Sequence, residues 1–226
     1  MIELSKRLRM VASLVPNCDM AADVGTDHGY LAAWLLQSKV AHRVFATDIH
    51  AGPLARAKQT ALEQDLTSQM EFHLCDGLQF PGADKADAVI LAGMGGETMV
   101  SILEAAPWAW HDTALILQPQ SKQPLLYAWL RTHGIPITQA KLCADAGKRY
   151  LAVLCGGTGD LNVTVEDLLF QARDPLFPQY LDAEIQRITH ALSGMSEASR
   201  DLELEKKTLQ SELDDFIKYQ KAVESW

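Results

Sequence analysis

Short apolar runs alternate with helix-like apolar patterns along the first two thirds of the chain. The run AVILA, residues 88–92, has the composition of a strand buried on both faces of a sheet. Between such runs lie segments of about ten residues with apolar positions three or four apart, which predict helices. This alternation favours a parallel sheet covered on both sides. The predicted strands are 20–24, 43–47, 70–74, 86–92, 113–117, 135–142 and 150–154, and the predicted helices between them are 30–38, 53–64, 96–105 and 122–133.

Helical spacing also marks both ends of the chain. An opening helix that Pro16 ends is predicted from Leu4, Leu8, Val11 and Val15. A glycine-rich break, GGTGD at residues 156–160, follows the last predicted strand, so we expect an α/β domain at 1–158 and a helical domain at 159–226. Two apolar stripes there favour an antiparallel coiled-coil hairpin over one long helix. The stripes are Leu181, Ile185, Ile188 and Leu192, then Leu202, Leu209, Leu213, Phe216 and Ile217, with Gly194 and Ser196 at the predicted turn.

Composition restricts the class of protein. The chain has no run of about 18 apolar residues, as a membrane span needs, and MIELSKRLRM lacks the apolar region of a signal peptide. We therefore expect a cytoplasmic protein that does not enter a membrane. The four cysteines, Cys18, Cys75, Cys143 and Cys155, lie far apart without a metal-binding spacing, which favours reduced thiols over a zinc site.

Charge is distributed unevenly along the chain, whose net charge is −9. Residues 1–160 hold 13 Lys/Arg and 16 Asp/Glu, whereas residues 161–226 hold 7 and 13. The acidity that argues against nucleic acid is therefore concentrated in the tail. The nearly balanced front begins with Lys6, Arg7 and Arg9, which form either a phosphate-binding cluster or a solvated face.

The segment ADVGTDHGY, residues 22–30, follows the first predicted strand, where open parallel sheets bind ligands. Gly25 permits a tight turn, and Gly29 lets the next helix start close to the sheet. The glycines of a GxGxxG fingerprint are absent, as are the lysine and hydroxyl of a P-loop. Aspartates in this turn repel a pyrophosphate but suit a cation, and S-adenosylmethionine is such a ligand.

Two further acids support that ligand. Asp48 ends the second predicted strand, where a carboxylate can accept hydrogen bonds from both ribose hydroxyls. Asp76 follows the third strand and can hold an adenine amino group, with Gly77 allowing close approach. Each acid alone is also explained as a loop residue or helix cap. Acids after three successive strands together favour the cofactor site.

Glycines and amides follow the fourth and fifth predicted strands. In LAGMGGETM, residues 91–99, three glycines leave bare backbone where a second flat group can enter. LQPQ, residues 117–120, brings amide side chains and a proline to the same edge. The acidic or amide residue with two prolines and an aromatic that many amino-group methyltransferases carry is absent, which disfavours methylation of an exocyclic amine.

The motifs LSKRLRMVASLVP, ADVGTDHGYL, DIHAGPL, DGL, LAGMGG, LQPQ and DAGKRY resemble, in order and spacing, the bacterial tRNA (adenine-22-N1)-methyltransferase family. The resemblance covers about residues 4–154, and the family also carries a coiled-coil tail. The motifs at the ends of the first and fourth predicted strands, ADVGTDHGYL and LAGMGG, are specific together. The chain departs from the family at Ala32, Gln120 and Leu151, where Pro, Asn and an acidic residue are usual.

This resemblance implies a class I, Rossmann-like methyltransferase with a mostly parallel seven-stranded sheet and a C-terminal α-helical coiled-coil hairpin. It implies methyl transfer from S-adenosyl-L-methionine to N1 of adenine 22 in the D-arm of tRNA, without a metal. The implied cofactor-binding residues are Asp23, Gly25, Asp27, Gly29, Asp48, Ile49, Asp76, Gly77, Gly93 and Met94. The implied substrate-binding residues are Arg7, Arg9, Gly95, Gly96, Gln118, Pro119 and Gln120.

The chemistry of N1 suggests the catalytic residues. Its in-plane lone pair attacks a sulfonium methyl without a strong base, and the product is cationic, so a nearby carboxylate stabilises it. The candidate for this carboxylate is Asp27. The alternative roles for Asp27 are to hold the cofactor's amino group or to cap the next helix. Tyr30 either stacks on the base and orients Asp27 or only packs, and His28 is interpreted as structural. Because N1 lies on the Watson–Crick edge, the adenine must first be exposed.

Two other classes of function remain open from the sequence. A methyltransferase that acts on another RNA, a small molecule or a protein shares every cofactor motif and does not need the basic start or the tail. A noncatalytic cofactor- or RNA-binding protein is favoured only if the tail is the main interaction surface. The acidic tail does not suit phosphate binding, which leaves self-association or shaping of the RNA site.

Overall fold

Strands and helices alternate in the computed structural model, which describes residues 2–195 and 203–226. The strands are β1 Cys18–Val24, β2 Ala41–Asp48, β3 Met70–Leu74, β4 Ala88–Gly95, β5 Ala114–Ser121, β6 Ile137–Asp145 and β7 Lys148–Cys155. The helices are α1 Lys6–Ala12, α2 Tyr30–Gln37, α3 Ala51–Glu63, α4 Gly96–Glu104, α5 Gln123–Thr132, α6 Val165–Gln171, α7 Phe177–Gly194 and α8 Glu203–Val223. Short 3₁₀ helices lie at Ala83–Lys85 and Pro107–Trp110.

The seven strands form one sheet in the order β3-β2-β1-β4-β5-β7-β6. Strand β1 pairs in parallel with β2 and β4, and the outer pairs β2/β3 and β4/β5 are also parallel. Strand β7 runs antiparallel to both β5 and β6. The seven-stranded, mostly parallel sheet is thus confirmed. Its strand order reverses between β1 and β4, which is where an open sheet of this kind forms its ligand crevice.

The core is densest at the centre of the sheet. Val89, Ile90 and Leu91 of β4 are completely buried, and burial of each such side chain stabilises the fold by about 1.5–3 kcal/mol. Helix α1 begins where Ser5 caps it, because the Ser5 hydroxyl accepts a hydrogen bond from the Leu8 amide at 3.2 Å. In β4, these buried residues lead directly into the strand end that borders the crevice.

The chain divides after Val165 into two compact units. In the second unit, α7 and α8 are antiparallel: Asp182 accepts from Gln220 at 2.7 Å, and Glu212 pairs with Arg187 at 3.4 Å. The hairpin prediction is thereby confirmed, whereas Ser196 and Leu202 lie outside the described residues. Helix α6 was not predicted. Among the residues described, no helix combines the length and apolar character needed to cross a membrane.

Candidate active site

The turn that follows β1, residues 25–29, is fastened to the end of β2 and is called the opening turn below. Gly25 has a positive φ of 72°, and its amide donates to the Thr47 carbonyl at 2.8 Å. The Thr26 amide donates to the same carbonyl at 2.9 Å. The turn therefore curls back over the neighbouring strand at the crevice.

Gly29 brings α2 close to α3. It has a φ of 70°, and a Cβ atom there would lie 3.0 Å from the Ala57 Cβ and 3.1 Å from the Ala57 Cα. Both the backbone conformation and this close approach require glycine. The sequence predicted a close approach of this helix to the sheet, whereas the contact that Gly29 permits here is with α3.

Asp23 is a buried acid directly behind the opening turn. Its side chain accepts a hydrogen bond from the Thr26 hydroxyl at 2.8 Å, and the residue is only 5% exposed. Burial raises the pKa of Asp23 to about 6, against the lowering effect of its hydrogen bonds from Thr26 and the Ala32 backbone, and repulsion from Asp48 adds to the rise. A buried carboxylate that is costly to ionise suits a cationic ligand placed beside it.

Asp48 lies at the last position of β2, with a side chain that is 10% exposed. Its Oδ1 atom accepts from the His50 amide at 2.8 Å, and its own carbonyl accepts from the Cys75 amide at 3.1 Å. These bonds fix the carboxylate at the crevice. The neighbouring Ile49 is 60% exposed and presents an apolar surface beside it.

The segment after β3 is also tied to β2. Gly77 has a φ of 58°, and its carbonyl accepts from the Thr47 hydroxyl at 3.0 Å. A Cβ atom on Gly77 would lie 2.8 Å from Ile102 of α4, so the chain passes close to that helix. The adjacent Asp76 is exposed. The three predicted acids Asp23, Asp48 and Asp76 thus lie at or just beyond the carboxyl ends of neighbouring strands, at one edge of the sheet.

Strand β4 ends in an irregular segment that contacts the opening turn. Its pairing with β5 shifts register around Met94, and Gly93 has a φ of 88°. The Met94 methyl group lies 2.6 Å from where a Cβ of Gly25 would stand, so it packs on the bare face of that glycine. The cofactor-binding candidates on β1 and β4 are therefore brought together.

The glycines after Met94 have different environments. Gly96 is buried, and a Cβ atom there would lie 2.4 Å from the Lys122 carbonyl oxygen. A glycine at this position allows two backbone segments to pass close to each other. Gly93 and Gly95 are half-buried and keep backbone near the surface of the crevice. Of the three predicted glycines, these two are the ones available to a substrate.

The last residues of β5, which extends beyond the predicted strand at 113–117, divide between core and surface. Gln118 is completely buried and Pro119 is buried, whereas Gln120 is exposed. The Gln118 carboxamide oxygen accepts from Nη1 of Arg7 at 3.0 Å, so Arg7 turns toward the sheet. Arg9 is exposed. The structure therefore separates two arginines that the sequence placed in one cluster.

Asp27 and Tyr30 lie at the outer side of the opening turn. Asp27 has a φ of 51°, and its Oδ1 pairs with Nη2 of Arg56 at 2.7 Å. Tyr30 is 44% exposed and stacks on the His28 ring, with centroids 5.2 Å apart. The carboxylate and the exposed ring are available to a second ligand at the crevice.

Three residues outside the predicted set shape the site, namely Thr26, Thr47 and Arg56. Thr26 stands three positions after Asp23, a spacing at which a hydroxyl reaches a nearby side chain, so the sequence carried a weak signal for it. Thr47 directly precedes Asp48, and its strand neighbourhood was predicted. Arg56 carried no local signal, because its contact with Asp27 depends on how α3 packs beside the opening turn.

A second concavity, of about 620 Å³, lies at the opposite, amino-terminal edge of the sheet and includes Asp19, His42 and Asp87 in its lining. Across residues 2–195 and 203–226, no group of three or more His, Cys, Asp or Glu side chains is arranged to hold a metal. The predicted acids Asp23, Asp48 and Asp76 lie instead at the carboxyl edge.

Comparisons with known proteins agree with this geometry. A family model described as a methyltransferase domain matches residues 4–153. The tRNA (adenine(22)-N(1))-methyltransferase of Bacillus subtilis is 32% identical over 172 residues, covering 76% of this chain and 72% of the relative.

Two crystal structures extend the likeness to the whole chain. The m1A22 tRNA methyltransferase TrmK of B. subtilis has a TM-score of 0.84 at 26% identity and covers 97% of this chain and 100% of its own. A Streptococcus pneumoniae protein described as a candidate tRNA (m1A22) methyltransferase, in complex with S-adenosyl-L-methionine, has a TM-score of 0.80 at 27% identity, with 96% and 100% covered. The chain therefore belongs to the methyltransferase-domain family and, within it, to the family of the tRNA (adenine(22)-N(1))-methyltransferases.

Proposed function

We propose that this protein transfers a methyl group from S-adenosyl-L-methionine to N1 of adenine 22 in the D-arm of tRNA. The observation that carries the proposal is the set of acids at the crevice, with buried Asp23 behind the opening turn and Asp48 fixed at the end of β2. Family membership supplies the reaction. Because the proposed substrate is tRNA, we also propose that the protein acts in the cytoplasm.

The residues of the crevice fit the cofactor. Asp23 offers a buried negative charge for an ammonium group, and Asp48 offers acceptors for ribose hydroxyls. Asp76 and the backbone near Gly77 suit an adenine amino group, with the exposed Ile49 against the ring. The bound cofactor supplies an electrophilic methyl group on a sulfonium. Gly25, Gly29, Gly93 and Met94 form the backbone and apolar wall around it.

The substrate side is built from residues at the outer part of the crevice. Half-buried backbone at Gly93 and Gly95 accommodates the flat base, and Gln120 lies exposed beside it. Tyr30 presents a ring for stacking. Because N1 lies on the Watson–Crick edge, the adenine is extruded before it enters.

Charge development determines the role of Asp27. The N1 lone pair forms the new bond to carbon directly, so a general base is not needed, and positive charge grows on the ring. The Asp27 carboxylate stabilises that charge. Arg56 holds the carboxylate at 2.7 Å before the substrate arrives and fixes its position.

We propose that residues 1–158 form the catalytic domain and that residues 159–226 form a separate helical coiled-coil domain. The tail holds 13 acidic and 7 basic residues from position 161 onward, so it repels phosphate. Self-association or shaping of the RNA site suits it better. The exposed Arg9 and Lys6 contact the RNA backbone.

The proposed function is tested on unmodified tRNA transcripts that carry A22, with matched transcripts that carry G22. Incubation with S-adenosylmethionine should give 1-methyladenosine, found by nucleoside mass spectrometry, and a primer-extension stop at position 22. The G22 transcript should give neither. A methyl group at another position or atom, or the same yield from the G22 transcript, would refute the assignment.

A further inference from the structure

Arg7 turns inward from α1 and connects three strands of the sheet. Its Nη1 donates to the Gln118 carboxamide oxygen of β5 at 3.0 Å, and its backbone amide donates to Oδ2 of Asp145 in β6 at 3.2 Å. The guanidinium carbon lies 5.8 Å from the ring centroid of Tyr150 in β7. Since Gln118 is completely buried, this contact is internal to the domain.

The same guanidinium lies against the irregular end of β4. A Cβ atom on Gly93 would stand 3.3 Å from Nη1 of Arg7 and 3.6 Å from Nε2 of Gln120. The glycine thus lets the arginine pack close to the strand where its register shifts. Arg7 therefore joins the segment after Ala92 to the segment after Leu117, and both segments border the proposed adenine site.

Arg7 differs in this respect from the other cations of α1. Residues two apart on a helix do not share a face, so Arg7 and Arg9 point in different directions. Arg9 and Lys6 are exposed, and Arg7 is half-buried. A planar guanidinium can bond an amide and pack on a ring at once, whereas an ammonium group acts as a single point charge.

We infer that Arg7 is a positioning residue of the adenine site and not an RNA phosphate contact. It holds the Gly93 segment and the Gln118 segment in the register that presents their backbone to the base. The identity of the base in this inference rests on the proposed function. The contacts of Arg7 are made within the protein and do not depend on that function.

The first test measures hydrogen exchange of backbone amides in 92–96 and 118–122, without RNA or cofactor. Arg7→Ala should speed exchange in both segments by about tenfold or more, because the irregular strand pairing there loses the side-chain contacts that support it. Arg7→Lys should speed exchange nearly as much, although it keeps the positive charge. Arg9→Ala should leave exchange in both segments unchanged. Gln118→Ala, which removes the acceptor, should also speed exchange in both segments. If Arg7→Ala fails to fold, Gln118→Ala tests the same contact. Unchanged exchange in Arg7→Lys and Gln118→Ala would overturn the inference.

The second test separates positioning from phosphate binding. In Arg7→Ala the single-turnover rate constant at saturating tRNA and cofactor should fall by about tenfold or more, while the salt dependence of tRNA binding keeps its slope. Arg9→Ala should reduce that slope by about one phosphate contact. A reduced slope in Arg7→Ala with a normal rate constant would identify a phosphate contact and refute the inference. Failure of the wild-type protein to methylate A22 would refute the proposed function alone, since the exchange result stands without it.

Discussion

Nη2 of Arg56 lies 2.7 Å from the Asp27 carboxylate, in an ion pair that links α3 to the opening turn. Both side chains are well exposed, at 46% and 62%. Exposed pairs of this kind contribute about 0.2–1 kcal/mol, so an incoming group can replace either partner easily. The pair therefore keeps Asp27 in place while leaving its charge available to a cationic product.

Asp27→Asn should lower the single-turnover rate constant for methyl transfer by roughly 10²-fold, a barrier increase of about 2.7 kcal/mol. The amide keeps the shape of the side chain and loses the charge that stabilises methylated adenine. Arg56→Ala keeps the carboxylate and should change the rate constant much less. If Asp27 instead binds the cofactor's ammonium, saturating cofactor will restore most of the rate of Asp27→Asn. Recovery in the Asp27→Asn/Arg56→Ala double variant would show that an unpaired Arg56 caused the loss.

Asp48→Ala should weaken S-adenosylmethionine binding by about 1.5–3 kcal/mol, because it removes a charged acceptor for two hydroxyl groups. Asp48→Asn keeps an acceptor for the His50 amide and should lose less affinity. Titration calorimetry measures both, with the exposed Asp84→Ala as a control for loss of one negative charge. Equal affinity in wild type and Asp48→Ala would remove the second-strand acid from the ribose site.

Strand positions were predictable where burial leaves a continuous apolar run. The run at 88–92 could be assigned because a strand covered on both faces needs apolar side chains throughout. The insertion of β7 between β5 and β6 depends on pairing between distant segments, which local patterns do not contain. The family resemblance implied only that the seven-stranded sheet is mostly parallel. Helix α6 was missed because seven residues, VEDLLFQ, are too few for a clear helical period.

The positions of the acidic residues could be predicted from the sequence. The environments of the residues around them could be predicted less well. Asp48 and Asp76 could be placed because parallel strands end at a common edge. The different environments of Arg7 and Arg9 follow from their spacing of two on a helix, which turns their side chains in different directions. The burial of Gly96 against Lys122 could not be foreseen, because it depends on how two strand ends pack.

Gly96→Ala should destabilise the fold by about 1–3 kcal/mol, since the new methyl group would overlap backbone that has little freedom to move. A Cβ there meets the Lys122 carbonyl oxygen at 2.4 Å and its carbon at 3.0 Å. Gly52→Ala on α3 is the matched control, because its Cβ meets only the Arg56 side chain, at 3.8 Å. Denaturant unfolding measures both. A Gly96→Ala variant as stable as Gly52→Ala would show that the two segments are not closely packed.

Asp23 should make stability depend on pH in the direction opposite to that of an ion-paired acid. Burial raises the pKa of Asp23 from 3.8 to about 6, so the folded protein binds this proton more tightly than the unfolded chain. Its contribution to stability is complete below pH 3.8 and is lost as pH rises through about 6. Asp23→Asn stays neutral, and its Oδ1 can still accept from the Thr26 hydroxyl. The free energy of unfolding of Asp23→Asn relative to wild type should therefore rise between pH 4 and pH 8 by about 2 kcal/mol.

The same substitution should weaken S-adenosylmethionine binding at pH 8, because the cationic ligand loses the buried charge that offsets its own. Wild-type affinity should increase from pH 5 to pH 7 as Asp23 ionises, and Asp23→Asn should lack that increase. Urea unfolding and calorimetry across this range measure the two effects, with Asp84→Asn as the control for removal of a surface charge. A stability difference between Asp23→Asn and wild type that stays constant from pH 4 to pH 8 would contradict a raised pKa at Asp23. A matching pH dependence of affinity in both proteins would mean that the ammonium group binds elsewhere.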